Sequence, residues 1–233
     1  MKYWEIKVTI LLKKDIIFTS SSEIIGNNIN YAMLKDEELK AYHKEKNYKY
    51  VFGNFFPPER DGIYKASRVY VFSIRSFNYD FISKIKICLE GYESNDFNII
   101  AMDVREINEQ PIEFIETITP AIVTVNGKPW LSSGDILLLV KRIHSNAEKK
   151  YKFFFGEEIG HVDDYFIEKL KILNKKPMYY EFKGKRLLGN KFKIKVNEDE
   201  KSQKLAFIIL GAGLAEKNSA LGAGYCIPDW RRI

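Results

Sequence analysis

The chain has 233 residues, 45% of them hydrophobic and 14% aromatic, enough to build one large core or two small ones and too much for a disordered chain. With 37 Lys and Arg against 31 Asp and Glu, the net charge of +6 favours an anionic partner: nucleic acid, an anionic membrane or an acidic protein. Two isolated cysteines, Cys88 and Cys226, and three histidines exclude a disulfide framework and a Cys-rich zinc site; they suit a reducing interior, so a cytoplasmic location is expected.

The opening MKYWEIKVTILLKK is interrupted by Glu5 and Lys7 and closed by Lys13 and Lys14, which gives neither a signal-peptide core nor a membrane span. Residues 3–12 alternate and are β-branched, so they read as a first strand, followed by a polar break over 20–28. From Ile29 the apolar spacing of Met33, Leu34, Leu39 and Tyr42 predicts a helix reaching His43, broken near Lys35 and Asp36, with Asp36 able to cap the second piece. Residues 48–56 form an aromatic strand stopped by Pro57-Pro58, and 69–77 a further strand expected to pair with it. Asn78 is placed to cap a helix whose buried stripe is Phe81, Ile82, Ile85, Cys88 and Leu89 and whose end is Gly91. A strand over 97–107 completes the order β-α-β-β-α-β, the split βαβ or ferredoxin-like arrangement shared with RNA-recognition domains.

The second half is expected to open with a strand over 121–125 and a hairpin turn at Asn126-Gly127. A helix follows from about Ser133, with Ile136, Val140, Ile143 and Ala147 facing inward, then a helical stretch over 163–173 closed by Pro177. Strands are expected over 178–182, 192–196 and 205–210. The fold class is therefore α+β, two tandem ferredoxin-like (RRM-like) domains covering 1–118 and 119–233, the second less regular.

Near the end, LGAGLAEKNSALGAGYC places Gly211, Gly213, Gly222 and Gly224 around Lys217, Asn218 and Ser219. Glycine lacks a Cβ and tolerates positive φ, so such a segment is expected to present backbone N–H groups to a phosphate. It lacks the third glycine of a dinucleotide fingerprint and the lysine of a Walker loop.

Two separated features carry a resemblance. The segment EELKAYHKEKNYKYVFGNFFP, a helix ending in a histidine before a strand, is similar to the corresponding region of CRISPR precursor-RNA endoribonucleases, and the glycine-rich segment resembles the signature of the wider repeat-associated (RAMP) superfamily. The stretch from Asp135 to Tyr151, ending Glu-Lys-Lys-Tyr, looks like the family's second-domain helix. Departures are Ala223 where the family often has an aromatic residue, and the tail PDWRRI. The resemblance implies two ferredoxin-like domains and metal-free, cofactor-free cleavage of CRISPR repeat RNA, leaving a 2′,3′-cyclic phosphate and a 5′-hydroxyl.

It also implies the catalytic set. His43 stands where the family has its acid-base residue, Lys49 resembles its lysine, with Lys44 and Lys46 as neighbouring rivals, and Tyr31, or Asn30 on a shifted alignment, resembles a tyrosine that helps place the nucleophile. Histidine suits the proton transfers because its ordinary pKa lies near neutrality. The plainer readings are a surface histidine at a helix end, solvated lysines and a core-facing tyrosine. His144 and His161 match no motif, and no metal site is expected.

For RNA binding, alternation in KFKIKV sets Lys191, Lys193 and Lys195 on one sheet face as a phosphate track. Lys183, Lys185 and Arg186 extend it, with Tyr179, Tyr180 or Phe182 for stacking. The rival for the track is a solvent-facing lysine ladder that guards a sheet edge. The partner expected is CRISPR repeat RNA, with a homodimer or a CRISPR effector complex also admitted. The alternative function is a non-catalytic guide-RNA-binding subunit of such a complex.

Overall fold

The computed structural model describes residues 1–44, 50–160, 164–182 and 184–231, with residues 42–44 as helix backbone only. Strand β1 (Lys2–Leu12) buries Ile6, Val8, Ile10 and Leu12 on one face, the alternation of a half-buried strand. After a short β2 (Ile16–Ile17) come α1 (Phe18–Met33) and α2 (Glu37–Lys44). Asp36 caps α2 as expected, its Oδ1 accepting from the N–H groups of Glu38 and Leu39 at 3.0 and 2.9 Å. The expected polar break over 20–28 lies inside α1. Its polar side chains are accommodated: Ser21 donates to the Phe18 carbonyl at 2.5 Å, and buried Asn28 donates to the Ile24 carbonyl and to Asp96, both at 2.8 Å.

Short strands β3 (Val51–Phe52) and β4 (Ile63–Tyr64) precede β5 (Val69–Ser76), α3 (Tyr79–Glu90) and β6 (Phe97–Asn108). Helix α3 keeps its expected cap, Asn78 Oδ1 accepting from Phe81 N–H at 2.9 Å, and its five-residue buried stripe. The sheet order β3-β5-β1-β6, all antiparallel, is that of a ferredoxin-like domain, with α1 and α3 over one face.

The second sheet starts earlier than the sequence reading placed it. Strand β7 (Ile112–Thr117) pairs with the last two strands of the chain, so the division between sheets lies between Asn108 and Ile112 and not at residue 118. Residues 121–125 instead make single bridges to Asn190 and Glu216 and then the hairpin β8 (Thr124–Val125) and β9 (Lys128–Pro129), turned by Asn126 and Gly127 with φ of 51° and 75°. A 3-10 turn (Trp130–Ser132) leads to α4 (Ile136–Phe155), capped by Asp135 and buried along Leu139, Val140, Ile143 and Ala147, while Ile136 is exposed.

Two expected elements change type. The helix expected over 163–173 is strand β10 (Ile167–Ile172), and the strand expected over 205–210 lies in helix α5 (Glu200–Ala212). Between them run β11 (Met178–Phe182), β12 (Lys185–Gly189) and β13 (Phe192–Val196); after α5 come a single turn α6 (Asn218–Leu221) and β14 (Cys226–Trp230). Leu205 to Ala212 are buried throughout, because α5 is wedged between the two sheets, and an all-apolar run carries no period to separate helix from strand. The second sheet has the order β10-β13-β7-β14, the same arrangement as the first, with the β11–β12 hairpin inserted. No helix among the described residues is long and apolar enough to cross a membrane.

Candidate functional site

Helix α2, which carries His43, packs on α1 and α3 and leads toward β3. Lys46 and Lys49 lie outside the described residues, as do the side chains of His43 and Lys44. Tyr31 lies on the last turn of α1 and is 60% exposed, so the core-facing alternative for it is excluded.

The glycine-rich segment is brought to these elements from the far end of the chain, since α6 packs against both α1 and β3. Its glycines do not present backbone to solvent: all four are buried, which corrects the expectation of a phosphate cradle. They permit close packing instead. A Cβ on Gly211 would stand 2.4 Å from the Phe77 ring, and one on Gly213 2.4 Å from Asn218 Nδ2. Gly222 and Gly224 combine φ of 60° and 67° with Cβ positions 2.6 Å from the Phe52 carbonyl oxygen and 2.1 Å from that of Leu214, where no side chain fits. The segment is a buried joint between domains.

Asn218, expected to face RNA, is likewise buried. Its Nδ2 donates to the carbonyls of Leu214 and Ala223 at 3.1 and 2.7 Å, and its Oδ1 accepts from Lys150 Nζ at 2.8 Å. Lys150, on the buried face of α4, also donates to the carbonyls of Gly213 and Ala215 at 2.5 and 2.9 Å. Burial pulls its pKa from 10.5 down to about 7, against the opposing influence of Cys226 and Glu216. Of the segment's polar residues, Lys217 is exposed and Ser219 half-buried.

A second buried cation ties the same segment to the first sheet. Arg75 on β5 donates from Nε to Glu5 Oε1 at 2.7 Å and from one terminal nitrogen to the carbonyls of Leu210 and Cys226 at 3.2 and 2.6 Å. Its guanidinium stacks on Tyr225, 4.2 Å from the ring centroid, and the Tyr225 hydroxyl donates to Glu5 Oε1 at 2.9 Å. Arg75 holds the Glu5 carboxyl below its usual range although burial pushes the other way. Sequence reading missed Arg75 and Lys150 as organisers; each is a charged residue in an apolar pattern, the only signal available.

The alternation expected in KFKIKV holds for two of its three lysines. In β13, Phe192, Ile194 and Val196 are buried while Lys193 and Lys195 turn outward. Lys191 precedes the strand, is half-buried, and has its pKa lowered by desolvation. Lys195 pairs with Glu168 at 2.8 Å, and Lys193 Nζ lies 4.7 Å from the centre of the Phe114 ring. The register adds two cations that the expected helix had hidden: Lys171 opposite Lys193 and Lys169 opposite Lys195. On the hairpin, Arg186 stacks on half-exposed Tyr179 at 4.7 Å and pairs with Glu181 at 3.8 Å, whereas Tyr180 is buried with its hydroxyl donating to the Pro120 carbonyl and is no stacking platform. Lys183 lies outside the described residues.

His144 is buried and locally bonded: its Nδ1 accepts from Phe166 N–H at 3.1 Å and its Nε2 faces Glu148 at 3.3 Å. Desolvation lowers its pKa. His161 lies outside the described residues.

No protein-family model matches the chain. It is 26% identical over 243 residues to the CRISPR-associated endoribonuclease Cas6 2 of Methanocaldococcus jannaschii, an alignment covering 96% of this chain and 98% of the relative. The chain is thus Cas6-like in sequence along nearly its whole length. Among solved structures, a CRISPR-associated protein Cas6 superposes with a TM-score of 0.74 at 18% identity, covering 97% of this chain and 99% of its own. The product of a Cas6-related gene from Pyrococcus furiosus gives 0.74 at 17% identity, with 97% and 98% covered. A RAMP protein described as binding different RNA substrates gives 0.71 at 18%, with 97% and 99% covered. The two-domain fold of the Cas6-like chain is thus shared from end to end with these relatives.

Proposed function

We propose that the chain cuts CRISPR repeat RNA within a long precursor transcript, releasing guide-sized units. The observation that carries this reading is the near-full-length similarity to a CRISPR-associated endoribonuclease. Exposed Arg186 and Lys217, with half-buried Lys193 on the outward face of β13, supply positive charge outside the buried joint, as phosphate contacts require.

In the reaction proposed, the ribose 2′-oxygen loses its proton and attacks the adjacent phosphorus, the bond to the 5′-oxygen breaks, and that oxygen takes up a proton. The products are a 2′,3′-cyclic phosphate and a 5′-hydroxyl. His43 is the proton-transfer group, Lys49 offsets charge on the phosphorane-like transition state, and Tyr31 helps place the nucleophile. The transition state needs no metal ion in this scheme. Support for His43 is its position at the end of α2, one helix away from the glycine-rich joint.

The test is cleavage of end-labelled repeat RNA from the same genome in EDTA by wild type and His43→Ala. Single-site cutting that falls about 10²- to 10⁴-fold in the variant, with binding retained, supports the mechanism. Equal cutting by the two proteins removes His43 from it, and cutting that EDTA abolishes removes the metal-free scheme. A second reading, a guide-RNA-binding subunit without catalysis, is favoured by the likeness to the RAMP protein described as an RNA binder. It is supported if wild type binds the repeat and yields no product.

A further inference from the structure

The first turn of α1 and the β11–β12 hairpin enclose a cleft of about 210 Å³ between the two domains. Phe18, Ser22 and Asn54 come from the first domain, and Pro120, Met178 and Tyr179 from the second. The volume is below the ~300–1,000 Å³ of pockets for drug-sized ligands, which suits a single flat heterocycle. The walls are mainly apolar, with the Asn54 amide and the hydroxyls of Thr19, Ser22 and Thr119 among them, the composition that grips a base by its faces and reads its edge. The surroundings supply the complementary charge. The Arg186 guanidinium lies 4.7 Å from the ring centre of Tyr179, one of the lining residues. An apolar slot beside an exposed cation matches a nucleotide, whose base is flat and whose phosphate is anionic; an aliphatic side chain of a protein partner would use the slot and leave the cation idle.

We propose that this cleft takes one unpaired nucleobase of the bound RNA, stacked on Tyr179, with a flanking phosphate against Arg186. The inference rests on the RNA-processing reading and adds to it a base-reading position away from α2. The Arg186–Glu181 pair does not obstruct it: at 3.8 Å and with both side chains more than 60% exposed, it yields readily to a phosphate.

The experiment measures binding of the repeat RNA carrying one abasic nucleotide at a time to wild type, Tyr179→Ala and Tyr179→Phe. A single abasic position is expected to weaken wild-type binding by about 5- to 100-fold, the range of one base–aromatic stack. Tyr179→Ala is expected to lose a similar factor on intact RNA and almost nothing further at that position, and Tyr179→Phe to behave as wild type. Arg186→Gln should weaken every RNA alike and flatten the salt dependence by about one phosphate. Unchanged thermal midpoints show that the variants are folded. If every abasic RNA affects wild type and Tyr179→Ala equally, the cleft is no base site. If wild type fails to bind the intact repeat, the RNA-processing reading falls and takes the cleft with it.

Discussion

Lys150 Nζ stands 2.8 Å from Asn218 Oδ1, so a cation from the middle of the second domain holds the residue that centres the glycine-rich joint. Two further carbonyls, of Gly213 and Ala215, also accept from this side chain, which has no solvent exposure. Lys150→Met would leave those oxygens buried without their donor, at a cost of about 2–4 kcal/mol. Urea unfolding at neutral pH reads it. Asn218→Ala in the same background should add less than it costs alone, because both variants break one network.

The titration of Lys150 gives this joint a pH signature. Its folded pKa, about 7, lies below its ordinary 10.5, so between these values the unfolded chain holds the proton that the folded chain has released. Stability contributed at this site therefore rises as pH climbs from about 7 toward 10.5, and below 7 the burial of the ammonium is a constant cost. Relative to Lys150→Met, wild type should gain about 1–3 kcal/mol between pH 7 and 9.5. Paired urea titrations at the two pH values test this; a difference that stays flat would show that the lysine remains charged.

The glycines and Lys217 separate packing from ligand contact. Gly224→Ala puts a Cβ 2.1 Å from the Leu214 carbonyl oxygen at a φ of 67°, so it should lower stability by several kcal/mol, or about 3 as an order of magnitude. Exposed Lys217→Ala should leave the thermal midpoint within a degree or two and weaken RNA binding. If Gly224→Ala folded with wild-type stability and lost only RNA, the segment would be a phosphate cradle after all.

The first domain was legible in the sequence because its signals are local. Asn78 and Asp36 cap helices through their own side chains, and alternation along β1 follows from one buried face. The errors fall where tertiary packing decides. Helix α5 is buried on all sides from Leu205 to Ala212 and so shows no stripe there; β10 is an edge strand whose Ile-Glu-Lys-Leu-Lys-Ile fits either period. The polar stretch of α1 is paired by Ser94 and Asp96, some 66 and 68 residues away in sequence from Asn28. For the site, sequence showed which residues could do chemistry but could not tell a glycine that opens backbone to a ligand from one that admits a neighbouring ring. Only the approach of Phe77, Phe52 and Leu214 decides that.

The outer face of the second sheet offers the remaining choice, phosphate track or edge-guarding ladder. Lys171 and Lys193 are direct cross-strand partners, an arrangement of like charges that destabilises a sheet unless an anion lies between them. Lys195, by contrast, already has Glu168 at 2.8 Å. If RNA phosphates occupy this face, Lys171→Gln with Lys193→Gln should lower the slope of log affinity against log salt by about 1.4, two phosphates' worth for a single strand. The same double variant should stay within about 1 kcal/mol of wild-type stability, since it removes the Lys171–Lys193 repulsion together with the attraction of Lys193 to Glu116, its partner on β7. Lys195→Gln should change the slope less, because its charge is already met by Glu168. A slope untouched by the double variant, measured by filter binding across a salt series, would leave these lysines as guards of the β10 edge.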